Sequence, residues 1–153
     1  MLPDINVLVA AHHATHPHHA VAAQWLLQIQ SHGSERRGGG SGSGLSAPLT
    51  LSMPVISGFL RLATHPKIFA QPSTPAEAID FVDWLLEDAN TRLLGQTTEW
   101  QYFRTLILEQ KLQANHVPDA WLASLALSLG EPFVTFDKGF RQLLPKSLLM
   151  ILK

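Results

Sequence analysis

The run Phe133-Val134-Thr135-Phe136 limits the choice of fold more than any other segment. It is almost wholly apolar, is bounded by Pro132 and Asp137, and is too short for a helix, so it reads as a buried strand. A helix precedes it: the pattern starts near Pro118, runs through Trp121, Leu122, Leu125 and Ala126, and stops at Gly130. Leu148 to Leu152 is a second buried run, and Leu45 to Leu51 and Arg92 to Leu94 are weaker strand candidates. Between them lie further helical stripes. Ala20 to Gln30 carries Val21, Trp25, Leu26 and Ile29 at helical spacing. Thr74-Pro75-Ala76-Glu77 has an N-cap, a proline at the first helical position and a glutamate at the third, ahead of Phe81, Val82, Leu85 and Leu86. Thr98 and Gln101 suggest a similar box before Phe103, Leu106 and Ile107. Strands alternating with helices predict a layered α/β domain with a mostly parallel sheet.

A chain of 153 residues suits one domain, 1–153, with a core large enough to stand without staples. The stretch GSERRGGGSGSG, residues 33–44, reads as a flexible surface loop within it, because nothing there can pack and glycine loses much entropy on ordering. There is no cysteine, which excludes disulfides and thiolate metal sites and fits a cytoplasmic protein. No apolar window of about 18 residues predicts a membrane span, and the N-terminus lacks the order of a signal peptide. The net charge of −1 excludes a general electrostatic trap for nucleic acid, so any such binding must come from a local basic patch. With 46% hydrophobic and 15% charged residues, the chain is apolar enough to expect a face covered by a partner or a second copy.

Asp137 follows the apolar run directly, so it should stand at the carboxyl end of a buried strand, where α/β sheets form their sites. Asp119 falls just inside a helix start, and Asp4 lies among Leu2, Pro3 and Ile5. Each alone could be a capping or turn residue. As a set, clustered carboxylates are what Mg²⁺ or Mn²⁺ needs: hard oxygen ligands with several waters retained. Such an ion activates water and offsets charge developing on a phosphate. No phosphate-binding Walker loop or serine elbow competes with this reading.

Four blocks then carry a resemblance. They are Leu2-Pro3-Asp4-Ile5-Asn6-Val7-Leu8-Val9, Ser57-Gly58-Phe59-Leu60-Arg61-Leu62-Ala63-Thr64-His65-Pro66, Asn115-His116-Val117-Pro118-Asp119-Ala120-Trp121-Leu122-Ala123, and Val134-Thr135-Phe136-Asp137-Lys138-Gly139-Phe140. In this order, over nearly the whole chain, they resemble the motifs of PIN-domain ribonucleases, and most of all the VapC-type toxins of bacterial toxin–antitoxin pairs. The resemblance implies a three-layer α/β/α sandwich, a homodimer, divalent-metal cleavage of an RNA substrate, and inhibition by a cognate antitoxin protein. It makes Asp4, Asp119 and Asp137 the catalytic metal ligands, with Asn6 and Thr135 orienting them. It also revises one element: Ile5 to Ala10 reads as a strand by itself, whereas the family starts a helix after Asp4. Pro3 would sit badly in a central strand, so the strand before Asp4 must be very short.

One departure is plain. The family carries a further acid in its second segment, but this chain has no Asp or Glu between Glu35 and Glu77. The alignment places the missing acid between Ile56 and Gly58. A centre of three aspartates can hold one metal through extra waters, whereas a two-metal mechanism loses a ligand. Ser57 is then a candidate to orient water. The alternative function is a catalytically weakened PIN-like module that binds RNA or a partner protein. Arg61 and Lys138, with Lys67 and Arg141 beside them, are candidate contacts to RNA phosphates. Five of the eight histidines fall within His12 to His19. Pro17 breaks any continuous helix there, so the tract reads as a polar turn and helix start rather than a zinc site.

Overall fold

A computed structural model describes residues 1–35, 47–95, 97–113 and 116–153. Among the described residues there are five short strands: β1 (Leu2–Pro3), β2 (Leu49–Leu51), β3 (Thr91–Leu93), β4 (Phe133–Thr135) and β5 (Leu149–Ile151). β1 pairs with β4, β4 with β5, and β2 with β3, all in parallel. The two groups meet where Thr50 N donates to Met1 O at 2.8 Å. The order across the molecule is therefore β3-β2-β1-β4-β5. Leu2 and Asp4 turn their N–H groups toward β4, bonding Pro132 O at 2.9 Å and Val134 O at 2.7 Å. Pro3 faces β2 and has no N–H to give, so the β1–β2 ladder stops after one rung.

Six helices connect these strands among the described residues: α1 (Ile5–His12), α2 (His19–Glu35), α3 (Met53–Ala63), α4 (Pro75–Glu87), α5 (Trp100–Gln110) and α6 (His116–Leu129). Right-handed crossovers put α1 to α4 on one face of the sheet and α5 and α6 on the other. The packing agrees, with α1 against α2 and α3, α3 against α4, and α5 against α6. This is the layered α/β/α arrangement expected from the sequence. None of the described helices is long and apolar enough to cross a membrane.

Helix α1 explains why its segment reads as a strand. Val7 to Ala11 are all buried, so there is no polar face to display a helical period. Its start is set by Asp4, whose side chain accepts the Ile5 N–H at 2.6 Å. Gly58 lets α3 approach α1: a Cβ there would run into the Ile5 side chain. Gly130, at φ +64°, stops α6 in the left-handed conformation. Three local expectations change. Gly33, Ser34 and Glu35 belong to α2 and not to a loop, while 36–44, including Arg36 and Arg37, lie outside the described residues. α6 begins two residues earlier than Pro118, at His116. The Thr98–Gln101 box does not form, because α5 starts at Trp100 with Glu99 as an N-cap that makes no side-chain capping bond.

The box at α4 does form, with Thr74 and Glu77 bonding reciprocally. Thr74→Ala is expected to cost about 1 kcal/mol, lowering the melting temperature by roughly 2–4 °C in a chain of this size. Thermal unfolding followed by circular dichroism checks this.

Candidate functional site

The connection direction reverses between β1 and β4, and the carboxyl ends of those two strands form the crevice where open α/β sheets bind ligands. Asp4 follows β1 and Asp137 follows β4 across that crevice. Asp119 enters from the first turn of α6. The centre is tied together by Thr135, the last residue of β4 and fully buried. Its hydroxyl donates to Asp4 Oδ2 at 2.6 Å, and the same oxygen accepts the Asp137 N–H at 2.9 Å and the Asn6 Nδ2–H at 3.3 Å. Asn6 Oδ1 in turn accepts the Phe136 N–H at 3.5 Å. Asp137 Oδ1 accepts the Gly139 N–H at 2.7 Å, which opens the short 3₁₀ turn Lys138–Gln142. A Cβ on Gly139 would stand 3.1 Å from that carboxylate oxygen, so a larger residue would press the Asp137 side chain to shift by a few tenths of an ångström.

The electrostatics of the centre are unfavourable to the bare carboxylates. Asp4 is only 7% exposed. Its burial raises the carboxyl to about 6, against the opposing pull of the Thr135 and Ile5 hydrogen bonds, and the charges of Asp119 and Asp137 push it further up. Asp119 is raised by burial and by Asp137, with His116 pulling the other way. Asp119, Asp137 and His116 line one cleft of about 280 Å³ with Gly139 and Phe140. His116 is the residue that motif reading passed over. Its signal was present, since it stands three places before Asp119 on the same helix.

Hard oxygen ligands, no thiolate, and a buried Asp4 that feels the charges of Asp119 and Asp137 suit a divalent cation. Among the described residues no three His, Asp or Glu side chains converge tightly enough to enclose an ion as they stand. A cation here would therefore keep several waters, as Mg²⁺ commonly does.

The other candidates fall around this centre unequally. Ser57 is exposed on α3 and lines a larger cavity of about 660 Å³, whose wall includes Ile5, the residue after Asp4, and Pro118, the residue before Asp119. Among the described residues no hydrogen bond joins it to the three aspartates. Of the positions where the missing acid aligns, Ile56 is buried in the core and the Cβ direction of Gly58 is filled by Ile5, which leaves Ser57 alone facing open space. Lys138 and Arg141 lie exposed on the 3₁₀ turn beside Asp137, and Arg61 is exposed in the last turn of α3. The histidines disperse to different partners: His12 to Ser73 Oγ at 2.8 Å, His19 to Ala10 O at 3.0 Å, and His13 and His18 to aromatic rings. Trp25 is core, whereas Trp84 and Trp121 are 44% and 42% exposed.

Comparison with known proteins identifies the family. The profile of the PIN domain family matches residues 1–143. VapC ribonuclease Mb2897 of Mycobacterium bovis is 33% identical over 138 residues, covering 90% of this chain and 85% of that protein. Ribonuclease VapC31 of Mycobacterium tuberculosis is 30% identical over 140 residues, covering 91% and 89%. The crystal structure of VapBC2 from Rickettsia felis, bound to a DNA fragment from its promoter, superposes with a TM-score of 0.64 over 99% of this chain and 98% of that one, and at 14% identity it speaks for the fold alone. A parallel sheet in this order, acids gathered at its switch point, and a family match over nearly the full length lead to one assignment: the chain belongs to the PIN domain family, with VapC ribonucleases among its relatives.

Proposed function

We propose that the chain is a divalent-metal-dependent endoribonuclease and the toxin of a toxin–antitoxin pair, with Mg²⁺ or Mn²⁺ held by Asp4, Asp119 and Asp137. One observation carries this reading: Asp4 is buried beside two other carboxylates, which raises it to about 6. An apo protein gains nothing from such a group, whereas a cation would relieve it. The relatives' ribonuclease names point the same way.

When bound, the cation supplies a counter-charge for the phosphate and lowers the pKa of water. The chain's own residues do the positioning. Thr135 and the Ile5 N–H fix the two oxygens of Asp4, and the Gly139 N–H fixes Asp137. Asn6 braces Thr135 from the side. Arg61 and Lys138, with Arg141, meet the phosphates flanking the scissile bond, since the chain has no wider positive field to do so. RNA is the substrate in this reading, and the cytoplasm is the place of action. A cognate antitoxin and a second copy of the chain are the protein partners. Exposed apolar side chains such as Leu27, Ile79 and Leu108 offer surface for them.

Purified protein is expected to cut single-stranded RNA internally in Mg²⁺ or Mn²⁺, to stop when the ion is chelated, and to resume when it is restored. Gel analysis of labelled RNA reads this. Cleavage that continues unchanged in chelator would sink the proposal.

The alternative, a weakened module that binds RNA or a partner, draws on a specific observation: Ser57 stands where the acid is missing. In that case Ser57→Glu should raise cleavage by about tenfold or more, because one further carboxylate strengthens metal retention. An unchanged rate would remove the argument from the missing acid.

A further inference from the structure

Beside the acidic centre lies a second cavity, of about 550 Å³, that the catalytic reading does not use. Its size is within the range of about 300–1,000 Å³ typical of small-ligand sites. Asn6, Val9, Thr15, His16, Leu62 and Phe69 line it. Asn6 is common to both places, because its amide also bonds Thr135 and the Phe136 N–H. The turn that carries Thr15 and His16 is docked on the centre as well: His18 stacks on Phe136, one residue before Asp137, with ring centroids 4.4 Å apart and planes at 21°. The cavity thus adjoins the acidic centre at Asn6, and the His18–Phe136 stack braces its wall against the same strand end.

Its lining has the composition of a nucleobase site. Phe69 is a fixed aromatic wall, because the buried His13 ring stacks on it at 3.6 Å and 16°. With one face taken by His13, Phe69 offers the cavity its other face or its edge. Val9 and Leu62 add apolar surface for a flat ring. The polar groups sit among them: the Asn6 amide, the Thr15 hydroxyl and the His16 ring. The His16 Nδ1 accepts the His18 N–H at 3.1 Å, so in the neutral ring Nε2 carries the proton and is a donor. Burial, with the neighbouring histidines, lowers the His16 pKa and favours that neutral form. Stacking surfaces combined with edge-reading donors and acceptors are how single-stranded RNA bases are recognised.

We propose that this cavity takes one unpaired nucleobase of the RNA, next to the scissile phosphate, stacked on Phe69 and read by His16, Thr15 and Asn6. The proposal rests on the chain acting on RNA, and it makes the His12–His19 tract a specificity element.

Two measurements test it, the first independent of nuclease activity. In the first, adenosine, cytidine, guanosine and uridine are titrated into the full chain in chelator, following the ring resonances of His16 and Phe69 by NMR. A free nucleoside has no phosphate and meets no metal, so this arm reads the base alone. One nucleoside is expected to bind about fivefold or more tighter than the weakest, a difference within the reach of stacking and edge contacts. Both His16→Ala and Phe69→Leu, the latter keeping an apolar side chain in place, should abolish that difference. Equal shifts, or none, from all four nucleosides overturn the proposal. In the second, cleavage ends are mapped on RNA carrying all four bases at every position. A preference beside the cut that flattens in both variants supports the base site, and a preference untouched by either overturns it while leaving the nuclease intact. Discrimination among nucleosides without any cleavage supports the base site and removes the nuclease reading instead.

Discussion

Asp4→Asn is expected to be inactive and, without metal, more stable than the unaltered protein at pH 8. The loss of cleavage should be about a thousandfold or more, since one lost ligand forfeits several kcal/mol of charge stabilisation at the phosphate, and each 1.36 kcal/mol is tenfold. The stability change follows from linkage. The folded Asp4 carboxyl stands at about 6, above its ordinary 3.8. A carboxyl raised in this way burdens the fold above the folded pKa, and the burden is relieved as pH falls from 6 toward 4. Its upper bound is roughly 3 kcal/mol, two pKa units of a buried group. Asparagine does not recover all of this. Its oxygen can still accept the Ile5 N–H, but its NH₂ then faces a Thr135 oxygen that already accepts from Asp137 and Asn6. A net gain of about 1 kcal/mol remains, a rise of roughly 2–4 °C. Differential scanning calorimetry in chelator at pH 8 and pH 4.5 checks the sign: the variant should melt higher at pH 8 and no higher at pH 4.5. Added Mg²⁺ or Mn²⁺ should raise the melting temperature of the unaltered chain alone, through ligand linkage. A variant no more stable at pH 8 would mean that Asp4 carries no strain for an ion to relieve.

The sequence told most where its signals are local. The Thr74 box and the Gly130 stop depend on residues three or four apart, and both appear in the structure. Helix α1 lacked a readable signal because burial on every side removes the polar face, and only the family resemblance placed a helix there. Thr98 had the right spacing for a box, but the chain turns so that Glu99 caps α5, a choice that spacing does not encode. The split of the sheet into two ladders joined by one rung could be anticipated only in part, from Pro3. The convergence of Asp4 and Asp137 was readable as order of motifs, whereas the group that joins them was not. Thr135 and Asp4 are 131 positions apart, and no periodicity links them. Ser57 shows the limit from the other side: alignment placed the missing acid between Ile56 and Gly58 without fixing the position, and only the structure singles out Ser57, in a cavity walled by Ile5, next to Asp4, and Pro118, next to Asp119. His116 was within reach of the sequence, three places before Asp119 on one helix, but only the cleft shows the two side by side with Asp137.

Thr135→Val tests whether that shared hydroxyl sets the chemistry or merely fills space. Valine keeps the shape and the β-branch at a fully buried position, so packing is preserved. What goes is one donor to Asp4 Oδ2 and one acceptor for Asp137 N and Asn6 Nδ2. Leaving buried groups unpaired costs about 1–3 kcal/mol each, and Asn6, only half-buried, can turn to water, so a loss near 2–3 kcal/mol is expected in urea unfolding. Orienting groups around a metal are worth about 10–100-fold in affinity or activity, and kcat/KM should fall by that much. A purely structural role would stop there. The Thr135 hydrogen bond, however, also holds the Asp4 carboxyl down against burial. Without it Asp4 rises beyond about 6, is more often protonated near neutrality, and holds a cation less well. The acid limb of the kcat/KM–pH profile, which reports the free enzyme, should therefore move to higher pH. Thr135→Ser restores the hydroxyl without the methyl and should return the limb to its original position, at a small cost in stability. An acid limb that stays in place in Thr135→Val while activity drops would show that Thr135 positions the backbone of Asp137 and has no hold on the charge of Asp4.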